Sequence, residues 1–107
     1  MRTRLLVAGA LLGCSAAIAG LAPALAQTEG GGRYLAANCA NCHGTNGVAK
    51  GAMPSLAGQK KEYIVEQMRA FRDGKQPATL MHQISKGYTE VQIEAIAEFF
   101  ARQPPAR

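Results

Sequence analysis

"NCANCHG", residues 38–44, sets Cys39 and Cys42 three positions apart with His43 directly after the second. Such a pair serves as a dithiol redox switch, as half of a metal site, or as an anchor for haem, and each use asks something different of the surrounding sequence. A dithiol oxidoreductase places its pair at a helix start in a βαβ unit. No stretch of this chain keeps strand-like alternation for long, and the pair follows a helical segment instead. A zinc centre could draw on Cys39, Cys42, His43 and His82, but adjacent Cys42 and His43 are awkward ligands for one tetrahedral ion. C-x-x-C-H is also the signature of c-type haem attachment, and that reading agrees best with the rest of the chain.

The spacing has a physical logic. Haem carries two vinyl groups on one edge, and two thiols about one helical turn apart can each form a thioether to one of them. The residue after the second cysteine is then held beneath the iron, where a neutral imidazole nitrogen is a good ligand. The other ring nitrogen of His43 needs an acceptor to fix the orientation of the ring.

Outward from the motif, the chain of 107 residues is sized for one domain. Its first residues do not read as folded protein. Met1 to Arg4 is short and basic, Leu5 to Leu25 is uncharged and apolar, and Ala24-Leu25-Ala26 is a small-x-small site before Gln27. That order predicts a secretory signal peptide over 1–26. The run is close to membrane-spanning length, but Gly9, Gly13, Gly20 and Pro23 interrupt it. Leu11-Leu12-Gly13-Cys14 is a looser match to a lipoprotein box. Cleavage after Ala26 would remove Arg2 and Arg4 and lower the net charge from +5 to +3. With no block of basic residues, such a charge argues against nucleic-acid binding and suits docking to an acidic partner. Cleavage would also leave Cys39 and Cys42 as the only cysteines of an exported chain. In an oxidising compartment they are expected to be joined to each other or to something else. So small a domain needs a staple, and a large covalent apolar cofactor would be one.

The exported part reads as helices and loops. Gln27 to Gly32 is a frayed lead-in, and Arg33 to Asn41 a short helix running into the motif. Gly44, Gly47, Gly51, Pro54 and Gly58 predict loop and turns. Ile64, Met68 and Phe71 share one face of an amphipathic helix over 60–72, with Gly74 as its stop. Gln76 to Tyr88 reads as a loop with a turn of helix. Thr89 and Gln92 form a capping box before Ile93, Ile96, Ala97 and Phe100, and Pro104-Pro105 ends that helix. The expected fold class is all-α, with long loops that need something to pack against.

Arg33 to Gln103 resembles a class I monohaem cytochrome c, on "CANCHG", "PSLAGQ" at 54–59, "TLMHQISKGY" at 79–88 and the amphipathic terminal helix. The resemblance implies helices and loops wrapped around one covalently bound haem c, with residues 27–107 as the cytochrome domain. It implies that Pro54 gives its carbonyl to His43, and that the sixth ligand comes from the loop before the last helix. That ligand would be Met81, with His82 as the rival. Met68 reads as core packing, and Met53 lies too close in sequence to the motif to reach the opposite face. Gly32 with Tyr34 or Leu35 is expected to meet Ile96, Phe99 or Phe100. Tyr63 would offer its hydroxyl to a haem propionate, with core packing as the alternative. Lys50, Lys60, Lys61, Lys75 and Lys86 would ring an exposed haem edge, unless they are ordinary solvated lysines.

An iron with both axial positions filled is limited to one-electron exchange, and a thioether ligand raises the potential. The implied protein is a periplasmic electron carrier without catalytic residues of its own and without a membrane span once the signal is removed. "LMHQISKGYTEVQIEAIAEFFARQ" is most similar to the cytochrome subunit of flavocytochrome c sulfide dehydrogenase, whose electrons come from an FAD-containing partner subunit. The same segments resemble one half of a cytochrome c4, which implies the alternative of a free shuttle to a terminal oxidase. Without Met81 on the iron, the open position would allow peroxidase-like chemistry or gas binding.

Overall fold

The computed structural model describes residues 31–107. The expected signal peptide, Cys14 within it, and the stretch 27–30 lie outside the described residues. Among the described residues there are five α-helices and no strand: α1 Gly31–Ala37, α2 Ala40–His43, α3 Lys61–Arg72, α4 Leu80–Ser85 and α5 Glu90–Ala101, with a 3-10 turn at Thr45–Gly47. The all-α expectation holds.

Apolar spacing builds the centre. Ile64, Val65 and Met68 of α3 are buried against Ile93, Ile96, Ala97 and Phe100 of α5, and Ala36 of α1 joins them. Phe100 and Ile93 are almost wholly enclosed. Each such side chain contributes about 1.5–3 kcal/mol through burial. Met68 is core, as its stripe predicts, whereas Phe71 on the same stripe is only half-buried.

The helix ends follow local chemistry. Thr89 Oγ1 accepts from Gln92 N at 3.3 Å, and Thr89 N donates to Gln92 Oε1 at 2.9 Å, which completes the capping box. Gly74 takes φ +72° just past α3, a left-handed stop that glycine adopts at no steric cost. Helices α1 and α5 cross at Gly32. A Cβ there would collide with the Ala95 carbonyl oxygen and press on Phe99, so only glycine lets the two backbones approach this closely.

One local expectation is corrected. The helix expected over 33–41 is two: α1 stops at Ala37, and α2 restarts at Ala40. Of the two residues offered beside Gly32, Leu35 packs on the core and Tyr34 is 80 % exposed. The segment 76–88 is a loop that holds one short helix, α4, as expected.

A row of ion pairs runs along the outside of α3 and α5. Lys61 pairs with Glu94 at 3.0 Å and Glu98 at 3.4 Å, Arg69 with Glu90 at 2.8 Å, and Arg72 with Glu90 at 2.6 Å. Exposed pairs like these contribute little each. They do commit Lys61, which is therefore no free member of a lysine ring.

Candidate haem attachment site

Helix α2 forms the motif as one tight turn. Cys42 N and His43 N both donate to Cys39 O, at 3.2 and 2.8 Å. The two cysteines carry free thiols, Cys39 half-buried and Cys42 exposed, so they are not bonded to each other. Burial pushes the Cys39 thiol up from its ordinary value, and Cys42 beside it pushes the same way. That environment opposes the thiolate that a dithiol oxidoreductase uses to attack. Among the described residues no three His, Cys, Asp or Glu side chains converge as a metal ion of the zinc type requires.

His43 is 7 % exposed, and its Nδ1 lies 2.7 Å from Pro54 O. A carbonyl can only accept, so Nδ1 carries the hydrogen, and Nε2 is the ring nitrogen that this contact leaves unengaged. The loop between them is built to deliver that carbonyl. Gly44 at φ +80° and Gly47 at φ +82° reverse the chain. Gly47 O then accepts from both Leu56 N, 2.8 Å, and Ala57 N, 3.1 Å, while Ala49 N donates to Ser55 Oγ at 3.0 Å. A Cβ at Gly47 would come within 2.7 Å of Phe100 Cδ1 and 2.8 Å of Ala57 N, so the turn closes only around glycine.

Met81 sits near the start of α4, partly buried, and packs on the same apolar cluster as Cys39. Ser85, fully buried, donates from Oγ to Met81 O at 2.6 Å. His82 is no plain surface histidine: it is half-buried and its Nδ1–H donates to Phe71 O at 2.7 Å. Tyr63 is 49 % exposed on the first turn of α3 and is not part of the core. The structure thus brings His43 and Pro54 into contact, sets Cys39 and Met81 on one cluster, and leaves Tyr63 outside it. Sequence reasoning passed over Ser55 and Ser85, hydroxyls whose partners are backbone atoms that leave no trace in composition.

The donor set fits haem c. Two unbonded thiols one turn apart, an imidazole whose Nε2 is not engaged by Pro54, and a thioether on the same apolar cluster are groups that can hold such a cofactor. Val48, Met53, Leu80 and Ile84, large apolar side chains on the segments that carry these donors, are 42–68 % exposed, which suits cover by an apolar ring.

A family model described as cytochrome c oxidase, cbb3-type, subunit III matches residues 26–100. A stretch of 73 residues is 41 % identical to the cytochrome subunit of sulfide dehydrogenase of Chlorobaculum tepidum, covering 68 % of this chain and 66 % of that protein. The solved cytochrome c4 of Acidithiobacillus ferrooxidans superposes with a TM-score of 0.57 at 40 % identity, over 59 % of this chain and 37 % of its own. Thiosulfate dehydrogenase from Marichromatium purpuratum superposes with a TM-score of 0.60 at 34 % identity, over 62 % of this chain and 15 % of that one. The matched stretch therefore spans just under two thirds of the sulfide dehydrogenase subunit and much less of the two solved chains.

Proposed function

This chain belongs to the cytochrome c family, whose members carry electrons on covalently bound haem c, and from that premise we propose that it is a periplasmic carrier with His43 and Met81 as axial ligands, reduced by an FAD-containing sulfide dehydrogenase subunit. When bound, haem c supplies one reversible electron change at its iron. The rest of the work falls to the chain. Cys39 and Cys42 retain the cofactor through two thioether bonds, so that it is not lost outside the cell. His43 presents Nε2, and the Pro54 carbonyl fixes the tautomer and raises the basicity of the ring. Met81 offers a soft sulfur that favours the ferrous state and so raises the potential.

The observation that carries this reading is the 2.7 Å contact from the buried His43 Nδ1 to Pro54 O. It orients the motif histidine and leaves Nε2 as the ring nitrogen available to a ligand. Export rests on the basic-apolar-small pattern of residues 1–26, and no helix among the described residues is long and apolar enough to cross a membrane. The likeness to cytochrome c4 favours a second reading, a free shuttle to a terminal oxidase.

A pull-down of the exported protein separates the two. Recovery of an FAD-containing partner, together with haem reduction that depends on sulfide, supports the subunit. A protein recovered alone that exchanges electrons with an oxidase supports the shuttle. N-terminal sequencing checks export, with Gln27 as the expected first residue.

A further inference from the structure

Helix α4 carries Met81 and has only six residues, far below the length at which a helix holds itself together in water. Thr79 gives it no side-chain cap. Something else must define where its backbone stands.

Two side chains do so, one on either side of the register. His82 reaches out of α4 and donates Nδ1–H to Phe71 O at 2.7 Å. Phe71 is in the last turn of α3, and its carbonyl also accepts from Gly74 N at 3.2 Å, so the imidazole adds a second donor to the group that closes the helix. Ser85 reaches back along α4 and donates Oγ–H to Met81 O at 2.6 Å, with His82 O further off at 3.4 Å. Ser85 is 0 % exposed. A buried serine closing so short a helix is a poor choice for stability alone. Alanine has the better helix propensity, and a hydroxyl bonded to the carbonyl four residues back tends to bend a helix. Its presence is explained if the position of the Met81 backbone matters more than the strength of the helix.

We propose that His82 and Ser85 are positioning residues for Met81: His82 pins α4 to the end of α3, Ser85 holds the Met81 carbonyl, and together they fix where the thioether is presented. The proposal rests on the reading of Met81 as an axial ligand. It also gives His82 a task without making it a ligand, since pinning α4 to α3 is reason enough for an imidazole there.

The test uses the full-length protein matured with its haem, at one fixed pH. The measurements are the ferric thioether-to-iron band, the reduction potential, the thermal midpoint and the affinity for added imidazole, which competes with Met81 for the iron. His82→Leu is expected to bind imidazole about tenfold more tightly and to have a lower potential, the usual scale for loss of a partner that orients a ligand. His82→Asn, which places an amide N–H near the position of Nδ1, is expected to restore both values. Ser85→Ala is expected to move imidazole affinity in the same direction while its thermal midpoint holds or rises, a split that a merely structural serine would not give. A thioether band in the wild type with unchanged imidazole affinity in His82→Leu overturns the clamp alone. So does a failure of His82→Asn to restore it. Should His82→Leu not mature, wild-type imidazole affinity in Ser85→Ala overturns the proposal. Absence of the band from the wild type removes Met81 as ligand, and the clamp with it.

Discussion

The two segments that supply iron ligands in the proposed site are held in opposite ways. The segment 39–57 is fixed by backbone: a turn of helix, two left-handed glycines, and the Gly47 carbonyl accepting two N–H groups. The segment 79–88 is fixed by side chains: His82 to Phe71 O, and Ser85 to Met81 O. Backbone bonds within a loop are encoded locally, and outside itself this loop leans on one residue of α5, Phe100. A six-residue helix tied down by two side chains depends on α3 being in place. The histidine side should therefore be the rigid one, and the methionine side the one that yields first.

The strongest way to break the contrast is at the motif. Replacing both Cys39 and Cys42 with Ala should give protein that loses all pigment to acidified organic solvent, whereas single replacements should keep part of it. Next is Met81→Ala, which should keep the haem covalently attached, abolish the thioether band of the ferric spectrum and lower the potential. An unchanged spectrum would reject Met81 and turn attention to His82. Gly47→Ala tests the backbone side. It combines a left-handed φ of +82° with a Cβ 2.7 Å from Phe100, and should cost about 2–4 kcal/mol in denaturant unfolding of the mature protein. Thr89→Ala removes the capping box that starts α5 just beyond the methionine segment, and should cost about 1 kcal/mol by the same measurement.

The smallest effect sharpens the comparison by using a region far from either ligand. Hydrogen bonds from Arg72 and then Arg69 hold the Glu90 carboxyl below its ordinary range. A carboxylate lowered in the folded state stabilises the fold above its unfolded pKa, and the contribution fades as pH falls through the lower folded value. Melting measured from neutral pH down through the carboxylate range should thus show a small acid-side loss in the wild type, reduced in Glu90→Gln and in high salt.

Much of this was legible in the chain. The apolar repeat of α3 and α5, the capping box at Thr89 and the stop at Gly74 follow from residue type and spacing, while the close approach at Gly32 follows from the resemblance to class I cytochromes c. So does the chemistry of the motif, because cysteine, cysteine and histidine in that order have few other uses. Tyr34 and Leu35 could not be told apart because a helix as short as α1 has too few turns for periodicity to say which side faces inward. The break at Asn38 and Cys39 left no signal for the same reason. The extent and anchoring of α4 were hidden by a different cause. Its order comes from His82 bonding a carbonyl eleven positions away and from Ser85 bonding within its own turn, and neither contact has a periodic signature. Lys61 looked like any other lysine until α5 placed Glu94 and Glu98 opposite it.

Phe100 lies against Gly47 with its ring, and its own carbonyl takes the N–H of Gly58 at 2.9 Å. One residue of α5 therefore sets the spacing between the two ends of the stretch from which the Pro54 carbonyl projects. The terminal helix donates nothing to the iron in the proposed ligand set, yet it is the template against which the imidazole's acceptor is positioned. Shaving that ring to a smaller side chain would loosen the grip on a histidine more than fifty residues earlier in the chain, and the damage would surface as altered haem electronics as well as lost stability.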